Sequence, residues 1–142
     1  MPDVFLVPKK IKRNWVAAER DDSPSRWATL YVTINRAGHI VMNRIAFEML
    51  GSPEAVTLLF DRDQQVVGLK PTHPHLRRAF KVSPRGQHGG RRVRAHKLCK
   101  DFGIFIPETL LFPRAYIDHD GVLILDLSDT KPIRRKRDKM WY

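Results

Sequence analysis

The sequence predicts a mostly β protein of the α+β class, built from two ββαββ units. Short segments alternate apolar and polar residues, which is typical of half-buried strands. Glycine and aspartate separate these segments at the positions where tight turns need them. The order strand, strand, short helix, strand, strand occurs twice along the 142 residues. Because 42% of the residues are hydrophobic, the chain can form a packed interior.

The first unit spans residues 26–72. The segment ATLYVTIN alternates Leu30, Val32 and Ile34 with polar or amphipathic residues, so one face of this strand is expected to be buried. Asn43 is a suitable N-cap for the helix, and Gly51 a suitable residue to end it. The predicted strands are 28–35, 40–42, 55–61 and 66–71, and the predicted helix is 44–50.

A connector of residues 73–79 leads to the second unit, residues 80–130. This unit differs by a long glycine-rich loop, SPRGQHGG, and by an insertion, FIPETLLF, after the helix. Asp120-Gly121 predicts a tight turn in its last hairpin. The predicted strands are 80–82, 91–93, 114–118 and 122–128, the helix is 95–102, and the loop and the insertion are 83–90 and 105–112.

The two units align at a constant offset of 52 residues. GHIVMNRIAFEMLGS, beginning at Gly38, then lies on GRRVRAHKLCKDFGI, beginning at Gly90, and Val41 meets Val93. Both segments have the same ladder of apolar residues. The second has five lysines and arginines where the first has only Arg44. The comparison predicts an internal duplication in which one copy has gained positive charge.

The formal net charge of +11 is concentrated in two places. Residues 73–104 have nine lysines and arginines against Asp101, and residues 131–142 have six against one aspartate. A polyanion such as nucleic acid is the partner that this distribution favours, and a solvated charged face is the alternative. Arg92 and Arg94 are expected on one face of a strand, with Val93 on the other. The predicted nucleic-acid-binding residues are Arg85, Arg91, Arg92, Arg94, Lys97, Lys100, Arg134, Arg135, Lys136 and Arg137.

Two basic segments flank the units. Residues 1–25 form an N-terminal arm with the basic run KKIKR, and either an unstructured leader or a binding arm fits its composition. The C-terminal tail, residues 131–142, ends in Trp141 and Tyr142. Its basic residues can follow phosphates while an aromatic ring stacks on a base, and a disordered basic tail is the alternative.

Both aligned segments resemble the signature of the AbrB-type swapped-hairpin (looped-hinge) DNA-binding family. That signature runs from glycine through a basic residue, a short apolar strand and proline to a helix ending in Leu-Gly-Ile. Members are usually dimers that interleave their hairpins in one small barrel, and most are transcriptional regulators or antitoxins. The resemblance implies an intrachain pseudo-dimeric swapped-hairpin barrel that binds double-stranded DNA, as a small regulator of bacterial or phage type.

The sequence departs from this signature in both copies. The proline before the helix is replaced by Asn43 in the first copy and by Ala95 in the second. The basic residue after the turn glycine is His39 in the first copy and Arg91 in the second. The helix positions at which a family member has arginines are Phe47 and Glu48, and Cys99 and Lys100. The resemblance therefore assigns DNA contacts mainly to the second unit.

Other functions have weaker support in the sequence. The single cysteine, Cys99, excludes an internal disulfide and suits a reducing compartment, so we expect a cytoplasmic protein. No apolar run approaches the roughly 20 residues that span a membrane. Structural zinc usually needs four ligands in recognised pairs, which His73 and His75 do not supply. There is no P-loop, dinucleotide fingerprint or Ser-His-Asp motif, so no enzyme, metal, cofactor or small-molecule substrate is expected.

Two alternatives to DNA binding remain open. In an antitoxin-like or adaptor module, the apolar hairpins around LLFD and VLILDL would supply a surface for a homodimer or another protein. In an RNA- or ribosome-associated protein, the same basic residues would bind a different polyanion.

Overall fold

The structure is a computed structural model that describes residues 12–18 and 29–133. The described residues are mostly β, as predicted, with 38% in strands and 12% in helices. Residues 12–18 are exposed and have no regular secondary structure. The strands are β1 (Val32–Ile34), β2 (His39–Met42), β3 (Ala55–Asp61), β4 (Val66–Thr72), β5 (Ala79–Arg85), β6 (Gly90–Arg94), β7 (Leu110–Leu111), β8 (Tyr116–Ile117), β9 (Leu123–Asp126) and β10 (Lys131–Pro132). The helices are α1 (Arg44–Met49) and α2 (His96–Phe102).

All ten strands of the described chain form one antiparallel sheet in the order β10-β7-β1-β2-β6-β5-β3-β4-β9-β8. β7 and β8 are eight places apart in this order, which in a flat sheet would separate them by about 38 Å. The four residues that join them, 112–115, cannot span more than about 18 Å. Residues 127–130 impose the same limit on β9 and β10. These short connections require the sheet to curl, and it forms a half-barrel.

The inner face of the curled sheet holds the core. Ile34, Ile40, Val93 and Val82 lie side by side across β1, β2, β6 and β5, and all four are buried. Both helices add to this core, α1 through Ala46 and α2 through Leu98 and Cys99. Burial of such a continuous apolar row is the main stabilising contribution to the fold.

The structure confirms the prediction that Asn43 is the N-cap of α1. Its side chain accepts a hydrogen bond from the backbone N–H of Ala46 at 2.9 Å and another from that of Tyr31 at 3.2 Å. Ala95, at the corresponding place before α2, has no side chain that can cap. Gly103 ends α2 with a left-handed backbone (φ 66°) that favours glycine.

Several predicted boundaries change in the second unit. Half of the predicted loop 83–90 is strand, because Ser83, Pro84 and Arg85 pair with Arg92, Arg91 and Gly90. Only residues 86–89 remain as the turn. The predicted insertion contributes β7, which pairs with β1 and β10, so part of it belongs to the sheet.

Residues aligned at an offset of 52 stand at similar places in the order of elements but lie on different faces of the sheet. Residues 39–42 and 91–94 pair with each other, and the N-caps Asn43 and Ala95 follow them. Val93, however, lies opposite Ile40 on the buried face, whereas Val41 lies opposite Arg92 on the other face. Because neighbouring residues of a strand point to opposite faces, the aligned residues Val41 and Val93 lie on opposite faces of the sheet.

Candidate nucleic-acid interface

The outer face of the sheet is strongly basic where β2, β6 and β5 lie side by side. His39 is paired with Arg94, and Arg92 follows on the same face of β6. On β5, the alternation places Lys81 and Arg85 on this face as well, because Ser83 between them is paired with Arg92. We call these five residues, His39, Lys81, Arg85, Arg92 and Arg94, the basic face.

The positions of Arg92 and Arg94 confirm the predicted alternation around Val93. Val93 is fully buried, Arg94 is exposed and Arg92 is half-buried. The Nε atom of Arg92 is buried, and within the described residues it has no hydrogen-bond partner. A buried donor without a partner costs about 1–3 kcal/mol. An anion beside this guanidinium would offset part of that cost.

Arg91 lies apart from the other two arginines. It shares the inner face with Val93 and is paired with the buried Met42. Its Nη1 donates hydrogen bonds to the carbonyl oxygens of Gly89 and Gly90 at 3.0 and 2.9 Å. The guanidinium also lies over the ring of Phe47, 4.3 Å from its centroid. These contacts fasten the β5–β6 turn to α1, so the structure gives Arg91 a packing role.

Arg85 stands at the end of β5, next to the turn 86–89. The β5–β6 hairpin extends beyond its neighbours here, because β3 pairs only with residues 79–81 and β2 only with residues 91–94. Arg85 is exposed in this projecting part. The structure therefore brings Arg85, Arg92 and Arg94 onto one face of the β5–β6 hairpin, with Arg92 and Arg94 in the part of β6 that also pairs with β2.

The two lysines predicted on α2 differ in their surroundings. Lys97 forms an ion pair with Asp101 at 3.1 Å, one helical turn away. Lys100 is exposed in the last turn of the helix. No aspartate or glutamate occurs in β2, β5 or β6, so no carboxylate from these strands neutralises the basic face.

His39 belongs to the basic face but was not among the predicted contact residues. The alternation in HIVM, with Ile40 and Met42 buried, would have placed it on the outer face. Burial lowers the pKa of His39 below 6.5, and the positive charges of Arg92, Arg94, Arg85 and His96 lower it further. Burial and the neighbouring arginines therefore both favour the neutral imidazole.

The outer face of β3, β4, β9 and β8 has a different character. Leu59, Gly68, Ile124 and Tyr116 are paired in one row across these four strands. Leu59 is 42% exposed and Tyr116 is 55% exposed. We call this row the apolar strip. Gly68 is at its centre, where a Cβ atom would lie only 3.0 Å from Val122.

The carboxylates at the hairpin ends stabilise turns. Asp61 accepts hydrogen bonds from the backbone N–H groups of Asp63 and Gln64, and Asp118 accepts them from Asp120 and Val122. Asp126 accepts hydrogen bonds from the hydroxyl and the backbone N–H of Ser128, which lower its pKa. These carboxylates are bound to neighbouring backbone groups instead of converging on one point.

Metal ligands do not converge within residues 12–18 and 29–133, where no group of three or more histidine, cysteine, aspartate or glutamate side chains could hold an ion. Burial raises the pKa of the Cys99 thiol. A cavity of about 430 Å³ lies beside Arg91, Lys81 and Glu54 and is otherwise lined mainly by apolar and proline side chains.

The predicted tail contacts Arg134, Arg135, Lys136 and Arg137 lie outside the described residues. Neither helix of the described part is long and apolar enough to cross a membrane. The sequence matches no protein-family model, and no match was found among curated proteins or among solved structures.

Proposed function

We propose that this protein binds double-stranded DNA and acts as a small transcriptional regulator of bacterial or phage type. The observation that supports this function best is the basic face, on which Arg85, Arg92 and Arg94 point the same way and no acid shares their strands. Arginine binds phosphate oxygens and can donate two hydrogen bonds to the edge of guanine.

The shape of the β5–β6 hairpin favours duplex DNA as the polyanion. The end of this hairpin, with Arg85 and the turn 86–89, is a two-stranded β-ribbon, and such a ribbon fits the major groove of B-DNA, which is about 12 Å wide. The deep, narrow major groove of an RNA duplex does not admit side chains in the same way. In the proposed complex, the end of the hairpin enters the groove, and Arg85, Arg92, Arg94 and Lys100 contact the phosphates beside it.

We infer further that the chain folds as an intrachain pseudo-dimeric swapped-hairpin barrel of two ββαββ units. The strand order supports this proposal, because β6 of the second unit pairs with β2 of the first and β5 pairs with β3. β9 likewise pairs with β4. A protease site inserted in the exposed part of the connector, residues 73–78, tests it. The cleaved halves should stay associated in native buffer and separate in denaturant.

Direct binding measurements test the proposed function. Fluorescence anisotropy would compare a labelled DNA duplex with a structured RNA of equal length over a series of salt concentrations. If these four phosphate contacts form, the logarithm of the association constant should fall with the logarithm of salt with a slope of about −3.6. Binding that is absent, or independent of salt, would refute DNA binding. Stronger retention of the RNA would instead support an RNA-associated protein.

The apolar strip favours one second candidate, an antitoxin-like or adaptor module that binds another protein. Exposed Leu59 and Tyr116 lie in one row on the outer face, where water would otherwise surround them. Sedimentation velocity of the purified chain and of a Tyr116→Glu variant tests whether this strip joins two copies. A dimer that the substitution disrupts would support this candidate.

A further inference from the structure

His39 lies on β2, at the edge of the basic face and next to the arginines of β6. It is paired with Arg94 in the β2–β6 ladder, and directly opposed residues in such a ladder have Cα atoms about 4.5–5.5 Å apart. Its backbone is fixed from the other side, because the side chain of Asn35 accepts a hydrogen bond from the His39 N–H at 3.0 Å. The imidazole is therefore held among the arginines by two strands.

The groups that act on the pKa of His39 come from three neighbouring elements, and all of them lower it. β6 contributes Arg92 and Arg94, β5 contributes Arg85, and α2 contributes His96. Each disfavours a proton on the imidazole, and partial burial acts in the same direction. The turn before β2 adds no carboxylate, since residues 35–38 read Asn-Arg-Ala-Gly.

We propose that His39, Arg92 and Arg94 form a phosphate-binding subsite that takes up one proton when it is occupied. The inference rests on the proposed function, because a DNA phosphate is the ligand considered. A phosphate oxygen beside the two guanidinium groups offsets the repulsion that keeps the imidazole neutral. The imidazole then gains a proton from solvent and donates a charge-assisted hydrogen bond to the phosphate.

Proton uptake has a quantitative consequence for affinity. Between the pKa of His39 in the free protein and its higher pKa in the complex, each unit decrease in pH should strengthen binding by up to about tenfold. At pH values above both pKa values, the affinity should not depend on pH through this group. His39→Gln should abolish the dependence and keep the affinity that the wild type has at high pH.

The test combines affinity with a direct measurement of protonation. Anisotropy with a labelled DNA duplex at constant ionic strength, across the acid-to-neutral range, gives the pH dependence. His75→Gln is the matched control, because His75 is exposed in the connector and away from the basic face. Two-dimensional NMR of the histidine rings follows His39 in the wild type with and without duplex, so the result does not depend on any variant folding.

The expected result is a pH-dependent affinity that His39→Gln removes, that His75→Gln keeps, and that accompanies an increase in the His39 pKa on binding. Tight binding with an unchanged His39 pKa would overturn the subsite and leave DNA binding intact. Absence of binding at every pH would overturn DNA binding itself and with it the subsite.

Discussion

The double substitution Arg92→Gln with Arg94→Gln is the sharpest test of the basic face. Both side chains point outward from β6, and Val93 between them is buried on the other side. Glutamine keeps the length and polarity of the chain but removes the charge. Because the Nε of Arg92 is buried without a hydrogen-bond partner within the described residues, its loss should cost the fold little.

The expected loss of affinity follows from the number of contacts removed. Each phosphate contact adds about 0.9 to the magnitude of the slope of log K against log salt. At about 0.1 M salt, one contact therefore strengthens binding by about eightfold relative to 1 M salt. The two arginines together should therefore contribute about 60-fold, and their removal should reduce the magnitude of the salt slope by about 1.8. Direct contacts to guanine would increase the loss further.

Anisotropy titrations at several salt concentrations measure both quantities. The matched control is Arg62→Gln with Lys70→Gln, which removes the same charge from the β3–β4 hairpin, outside the basic face. This control should lose only a few fold through the change in overall charge. Equal losses in the two variants would refute the assignment of the contacts to β6.

Three further predictions concern stability and its dependence on pH. Val93→Ala should lower the free energy of unfolding by about 2 kcal/mol, because it removes two buried methyl groups. Val41→Ala, on the outer face, should lower it by less than about 1 kcal/mol. Urea denaturation measures both values. Arg91→Gln should destabilise the fold by about 1–2 kcal/mol, because it removes the contacts with Phe47 and the turn, and it should keep nearly all of the salt slope of DNA binding. Unchanged stability with a reduced salt slope would contradict the packing role. Because the pKa of His39 is lower in the folded protein than its ordinary value of 6.5, the free energy of unfolding should decrease as the pH falls from 6.5 toward the pKa of the folded state. In thermal melting, His39→Gln should lack this contribution to the decrease of stability in acid.

The local pattern of the sequence was sufficient for most of the elements. Alternation located Arg92 and Arg94 on one face of a strand, because side-chain direction in a strand depends only on position along it. The capping role of Asn43 was equally local, since the bond to the N–H of Ala46 lies within one turn. Boundaries were less accurate in the glycine-rich segment, where pairing between β5 and β6 extends through residues predicted as loop.

The candidate site could be predicted only in part. Arg85, Arg92 and Arg94 were expected together and lie together, whereas Arg91, adjacent in the chain, turns inward to Phe47. His39 was not predicted as a contact, because its cationic neighbours come from strands more than 40 residues away in the chain. Composition identifies a basic segment, but it does not say which of its residues share a face.

The sequence by itself determined the mostly β class, the order of the elements except β7 and β10, and the excess of positive charge in residues 73–104. Those properties depend on residues close together in the chain. The tertiary structure decided which strands are neighbours. Because β2 pairs with β6, Val93 lies opposite Ile40 on the buried face, whereas Val41 lies on the other face. It also decided that the sheet curls, because two four-residue connections join strands that are eight places apart. The neighbours of a strand, and its register against them, depend on pairing with residues far away in the chain, so a local sequence pattern does not reveal them.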